Sequence, residues 1–157
     1  GIGSWVKLKT HNVTNLPNDM KSEMTSETTY TLVEVNENEA VVEMETVTTM
    51  VNAGQEMKMP AQKSKIPYPL KYTKPEGKDH PAQDAPKPET GTEELEIAGK
   101  KLNCTWSKMV TEAGGVKSTA KSWVSEDVPG MTVKMESASE GPMSSNMTID
   151  LVGFETK

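Results

Sequence analysis

The side chains able to do nucleophilic or acid–base chemistry are few and stand far apart in the sequence. His11, His80 and Cys104 are its two imidazoles and its one thiol. None of them sits in a motif that would activate it: there is no G-x-S-x-G elbow, no phosphate loop and no H-E-x-x-H. Cys104 lies between Leu102 and Trp106 in apolar alternation, so it reads as a buried, inert thiol. His80, between Asp79 and Pro81, and His11, at the end of the first apolar alternation, read as solvated. Carboxylates pair at Glu43 and Glu45 and cluster at Glu93, Glu94 and Glu96. A glycosidase, however, needs two carboxyls about 5–9 Å apart across a groove with aromatic platforms, and aromatics make up 4% of this chain. These acids read as a solvated face, without the spaced oxygen ligands of a calcium loop. No catalytic residue, metal site or cofactor is expected, and the chain is expected not to be an enzyme.

Methionine is the more informative residue, with eleven in the chain. Met57 and Met59 fall on one face of a strand, and Met131 with Met135 does so across four residues. Soft thioethers suit cuprous ion. The plainer role for methionine is to fill a core short of aromatics. Between the two lies a third role, since a curved sheet lined by Met, Val and Leu makes a flexible apolar pocket for a lipid or acyl chain. The candidate ligand-binding residues on this basis are Met44, Met57, Met59, Trp106, Met131, Met135 and Met147.

These residues need strands to position them. Period-two alternation with many β-branched residues recurs along the chain between polar turn signals, and predicts about nine strands. The first runs from Ile2 to Thr10, with Ile2, Val6 and Leu8 on one face and Trp5 on the other. The second, Met24 to Val35, ends at the hairpin signal Asn36-Glu37-Asn38-Glu39. Ala40 to Asn52 returns as the third, with Ala40, Val42, Met44 and Met50 on one face, and Gln55 to Gln62 forms the fourth. Strands follow at Glu94 to Ala98, around Leu102 to Val110, at Val116 to Ser125 beyond the hairpin signal Gly114-Gly115, at Met131 to Ser137, and after Gly141-Pro142. No window has the apolar spacing of a helix of ten residues or more. Prolines between Pro67 and Pro88 remove ladder donors, so residues 66–92 read as a long proline-rich loop inserted in a single antiparallel β domain spanning 1–157. The segment from Ser26 to Val35 echoes that from Ser145 to Phe154. The fold class expected is all-β, an up-and-down meander forming a barrel or half-barrel, with a two-sheet sandwich as the alternative.

Composition narrows the function. The net charge is −6, and all 17 basic residues are lysines. Without arginine, the planar fork used for phosphate and guanine contacts is missing, which argues against nucleic acid as a partner. No apolar run reaches the roughly 18 residues of a membrane-spanning helix, so no transmembrane segment is expected. A lone cysteine excludes an internal disulfide. The opening Gly1-Ile2-Gly3-Ser4-Trp5 lacks an initiator methionine and reads as a trimmed chain whose signal peptide is not present.

The stretch Trp123-Val124-Ser125-Glu126-Asp127-Val128-Pro129-Gly130-Met131-Thr132-Val133-Lys134, with Gly99-Lys100-Lys101-Leu102 upstream, resembles a strand-turn-strand segment of exported bacterial β proteins. Some of those are similar to the LolA/LppX-like lipoprotein-carrier half-barrels. The resemblance covers about a dozen residues and assigns no functional residue. It implies an extracytoplasmic protein, periplasmic or secreted, whose curved sheet binds an acyl chain or an envelope protein. This chain departs from the carriers in having no helix to plug the half-barrel. The expected function is that of a non-enzymatic exported binding protein for an apolar ligand or protein partner. An envelope interaction module without a small-molecule ligand and an unrecognised hydrolase are the alternatives.

Overall fold

Among its described residues the computed structural model of this chain has ten strands, all paired antiparallel in one sheet. The structure describes residues 1–17, 20–52, 54–70, 87–141 and 143–157, and no helix occurs among them. The strands are β1 (Trp5–Asn15), β2 (Lys21–Val35), β3 (Glu39–Asn52), β4 (Gln55–Lys58), β5 (Gln62–Pro69), β6 (Glu89–Ile97), β7 (Lys100–Ala113), β8 (Val116–Val124), β9 (Thr132–Glu140) and β10 (Ser144–Glu155).

Their order across the sheet is β4-β3-β2-β1-β10-β9-β8-β7-β6, with β5 sharing the outer side of β3 with β4. The antiparallel meander is therefore as alternation predicts. Its one long-range join is β1 with β10, from Trp5 opposite Glu155 to Asn15 opposite Ser144. An up-and-down barrel closes by pairing its first and last strands. Here that pairing is made, yet the sheet is not closed into a barrel, because β5 and β6 are not paired. The sheet curls nonetheless: β6 touches β10, although three strands separate them in the ladder.

Local chemistry fixes the turns. At Asn36 the side-chain Oδ1 accepts from the backbone N–H groups of Asn38 and Glu39, at 2.9 and 3.0 Å, which closes the β2–β3 hairpin with an Asx-type turn. Gly114 and Gly115 have φ of 60° and 78° and join β7 to β8 in a two-residue loop, the left-handed pair that a type I′ hairpin requires. Hydroxyl pairs link β2 to β3, Ser26 with Thr48 and Thr28 with Thr46, each at 3.0 Å. Such cross-strand pairs let a threonine-rich segment satisfy its hydroxyls without leaving the sheet.

Two expectations are corrected. The single fourth strand from Gln55 to Gln62 is two short strands, β4 and β5, which pair with opposite ends of β3. The bounds expected for the proline-rich loop, 66–92, are not kept: β5 runs on through Pro67 and Pro69, and β6 begins at Glu89. Prolines two apart aim their nitrogens the same way, and an edge strand has one side on which no donor is needed. Residues 71–86 of that expected loop lie outside the described residues. The echo between Ser26–Val35 and Ser145–Phe154 corresponds to the two strands flanking β1. Ser26 faces Thr10 whereas Ser145 faces Thr14, so the two segments stand out of step.

The buried core gathers Val6 and Leu151 from the β1–β10 join, Leu102, Cys104 and Trp123 from β7 and β8, Val133 from β9, and Val128 from the β8–β9 turn. Val133 is wholly buried at 0% exposure. Register breaks between Lys7 and Leu8 and between Trp123 and Val124 fall beside this cluster. A bulge bends its strand and re-aims neighbouring side chains, which lets residues from differently facing segments meet. Against the core packs Trp106, whose ring lies over Gly91 of β6. A Cβ added at Gly91 would stand 2.6 Å from Trp106 Cζ2. Gly91→Ala is therefore expected to lower stability by about 1–3 kcal/mol, the usual range for overpacking. Urea unfolding followed by tryptophan fluorescence measures it, and an unchanged midpoint would contradict the ring-on-glycine contact.

Candidate functional site

Register decides which side chains share a face. Val6 faces Tyr30, Tyr30 faces Met44, Leu32 faces Val42, and Val42 faces Ile66. Side chains directly opposite one another project from the same side of a sheet. One face of β1, β2, β3 and β5 is therefore apolar at the end nearest the β8–β9 turn. There it forms an open groove of about 530 Å³ lined by Val6, Leu8, Tyr30, Leu32, Val42 and Tyr68, with Ser4, Trp5 and Thr132 around it and Pro129-Gly130 on one side. Among the described residues no charged side chain lines it.

The turn beside the groove is built from its own backbone. Ser125 N–H donates to the Met131 carbonyl at 2.8 Å, and Met131 N–H donates to that of Val128 at 2.8 Å. Val128 is 2% exposed and anchors the turn in the core, while Gly130 and Met131 reverse the chain with φ of 79° and 63°. At the other side Ser4 ties the chain ends: its Oγ accepts from the Lys157 backbone N–H at 2.9 Å, and its carbonyl from Leu32 N–H at 2.9 Å. The groove is thus held by the β1–β10 join and the core behind it.

The opposite face of the same strands carries ion pairs among scattered valines. Lys7 pairs with Glu27 at 2.6 Å and Lys63 with Glu45 at 3.2 Å. Lys7 beside it holds the Glu27 carboxyl below its ordinary range. That sign makes the contribution present above the unfolded carboxyl's pKa and lost as pH falls through the lowered one.

The seven expected ligand residues do not converge. Met44 lies on the groove face opposite Tyr30. Met57 and Met59 stand at the far end of that face, at β4 and just beyond it, 65% and 38% exposed. Met147 sits opposite Asn12 and Met135 opposite Ile149. Met131 belongs to the turn rather than to the strand with Met135, because the β8–β9 register break intervenes. Trp106 packs over Gly91, with Lys121 Nζ 4.6 Å from its ring centroid. The groove residues Val6 and Leu8 carried their signal in the alternation of the first strand, and Val42 in that of the third. Tyr30, Leu32 and Tyr68 carried none that singled them out.

The groups considered for catalysis are separated as well. His11 Nδ1 is 3.0 Å from Thr25 Oγ1 on the polar face, and His80 lies outside the described residues. Trp123 Nε1 donates to Glu93 Oε2 at 2.8 Å, which occupies that carboxylate structurally. Cys104 is 2% exposed, and its thiol donates to the Leu102 carbonyl at 3.6 Å. Burial first, and the Glu93 charge second, push the thiol pKa up. Both effects disfavour the thiolate that a nucleophile needs. Among the described residues no three His, Cys, Asp or Glu side chains come together as a metal site, and no helix is long and apolar enough to cross a membrane. Comparisons with family models, curated proteins and solved structures find no match.

Cys104 is accordingly expected to react with a disulfide reagent at pH 8 at least about tenfold more slowly in the folded protein than in denaturant, as a buried protonated thiol should. Equal rates would show that the thiol is accessible.

Proposed function

We propose that this chain is a non-enzymatic, exported binding protein that holds an apolar ligand, a lipid or acyl chain, in the groove beside the β8–β9 turn. The observation that carries the proposal is the chemistry of the lining: aliphatic side chains and the rings of Tyr30 and Tyr68, with no charge, on a sheet whose other face is laced with ion pairs. A volume of about 530 Å³ lies within the usual range for small-molecule sites. Open at one side, such a groove admits a chain end-on or sideways, and the two tyrosine hydroxyls offer polar atoms to a headgroup. Export and kinship with lipoprotein carriers remain part of the proposal through the resemblance at Trp123–Lys134. Here the β8–β9 turn, rather than a helix, stands beside the apolar face.

Titration with the fluorescent probe phenylnaphthylamine, followed by displacement with a fatty acid, tests it. The native protein is expected to take up the probe and release it to the competitor. Val42→Asp is expected to weaken uptake about tenfold or more, because a carboxylate in an apolar groove must be desolvated. Val47→Asp, on the polar face, is expected to leave uptake unchanged, and Tyr68→Lys at the exposed rim serves if Val42→Asp does not fold. No uptake by the native protein, or equal loss in the groove and control variants, would overturn the proposal.

A further inference from the structure

We infer that the groove face carries, at its opposite end, a binding site for a soft monovalent cation, cuprous ion, built from the thioethers of Met24, Met50, Met57 and Met59. The ladder sets three of them in a row. Met24 of β2 is directly opposite Met50 of β3, and Met50 is directly opposite Met57 of β4. Neighbours of this kind have Cβ atoms about 4.5–5.5 Å apart. Three rotatable bonds then let the sulfurs meet on one ion. Met59 follows on the same edge, where its backbone N–H donates to the Thr48 carbonyl at 2.9 Å.

Core filling does not explain this cluster. Met57 is 65% exposed and Met59 38% exposed, and neither belongs to the buried core, which lies at the other end of the sheet. Along β2 the six residue steps from Met24 to Tyr30 span about 20 Å, so the patch is separate from the apolar groove.

The neighbouring donors choose the metal. On this face the positions next to the methionines are the hydroxyl pair Ser26 and Thr48 and the pair Ser22 and Asn52, bonded to each other at 3.0 and 2.7 Å, and Asn12 of β1, directly opposite Met24, whose buried amide oxygen has no hydrogen-bond partner among the described residues. Glu23 and Glu56, next to Met24 and Met57 in the chain, project to the opposite face because successive residues alternate. Glu23 is in addition paired with Lys21 at 2.5 Å and Glu56 with Lys58 at 3.5 Å. Among the described residues the donors on this face are thioethers, hydroxyls and amides, without carboxylate or imidazole, and such neutral sulfur favours cuprous ion over zinc, calcium or magnesium.

The test is anaerobic titration with cuprous ion, held reduced by ascorbate, against a coloured cuprous chelator. The native protein and a Cys104→Ala variant are expected to withdraw one equivalent, with a sulfur-only first shell in X-ray absorption. The Met24→Leu, Met50→Leu, Met57→Leu triple variant is expected to bind at least about tenfold more weakly. Met57→Leu with Met59→Leu, both at exposed positions, supplies the same comparison if the triple variant does not fold, and probe uptake by the groove is expected to persist in both. Binding that survives the methionine replacements, or that vanishes in Cys104→Ala, would overturn the inference, as would failure of the native protein to compete with the chelator.

Discussion

The pairing of β1 with β10 is the interaction on which the rest of this molecule depends. It joins the first and last strands over eleven residues of β1, from Trp5 to Asn15. Every other ladder in the sheet is between strands close in sequence, made by hairpins or short connections. Without the long-range join the chain would be two separate meanders, β1 to β5 and β6 to β10, each with an uncovered apolar surface. With it, Val6 and Leu151 enter one core with Leu102, Trp123 and Val133, and the ends of the chain fall in the middle of the sheet. The cost of bringing such distant segments together is loop-closure entropy, which must be met by the contacts made afterwards.

The same join decides where the sheet is open. A meander closed between first and last strands has its gap elsewhere, and here the gap lies between β5 and β6. The two edges are guarded differently. Pro67 and Pro69 with Lys63 and Lys65 blunt β5, whereas Glu89, Glu93, Glu94 and Glu96 give β6 a run of carboxylates. Prolines and charges are the ordinary means by which free edges avoid pairing with other chains.

Within that frame one face of β1 to β4 holds two unlike surfaces. Near the β8–β9 turn it is aliphatic and aromatic, and near β4 it is thioether and hydroxyl. The reverse side carries the lysine and glutamate partners. Strict alternation makes this partition possible, since a residue and its successor never share a side. The turn from Ser125 to Met131 contributes by burying Val128, which sets Pro129 and Gly130 beside the groove.

Alternation and turn chemistry alone determined the all-β class, the absence of long helices among the described residues, the hairpins at Asn36 and Gly114, and the face shared by Val42, Met44 and Met50. These are local properties: they depend on residues one or two apart, or on backbone conformations that only particular side chains stabilise. The buried character of Cys104 was legible for the same reason, from its apolar neighbours at alternate positions. Tertiary structure decided the rest. The proline strand β5 read as loop because a proline's tolerance depends on whether its nitrogen faces a partner, which is a fact about strand order. Met131 read as a companion of Met135 because a register break leaves no mark on a period-two pattern. Likewise, that Met24, Met50 and Met57 stand side by side, and that Tyr30 and Tyr68 border one groove, follows from register between strands, and register is set by which distant hydrophobic surfaces can be buried together.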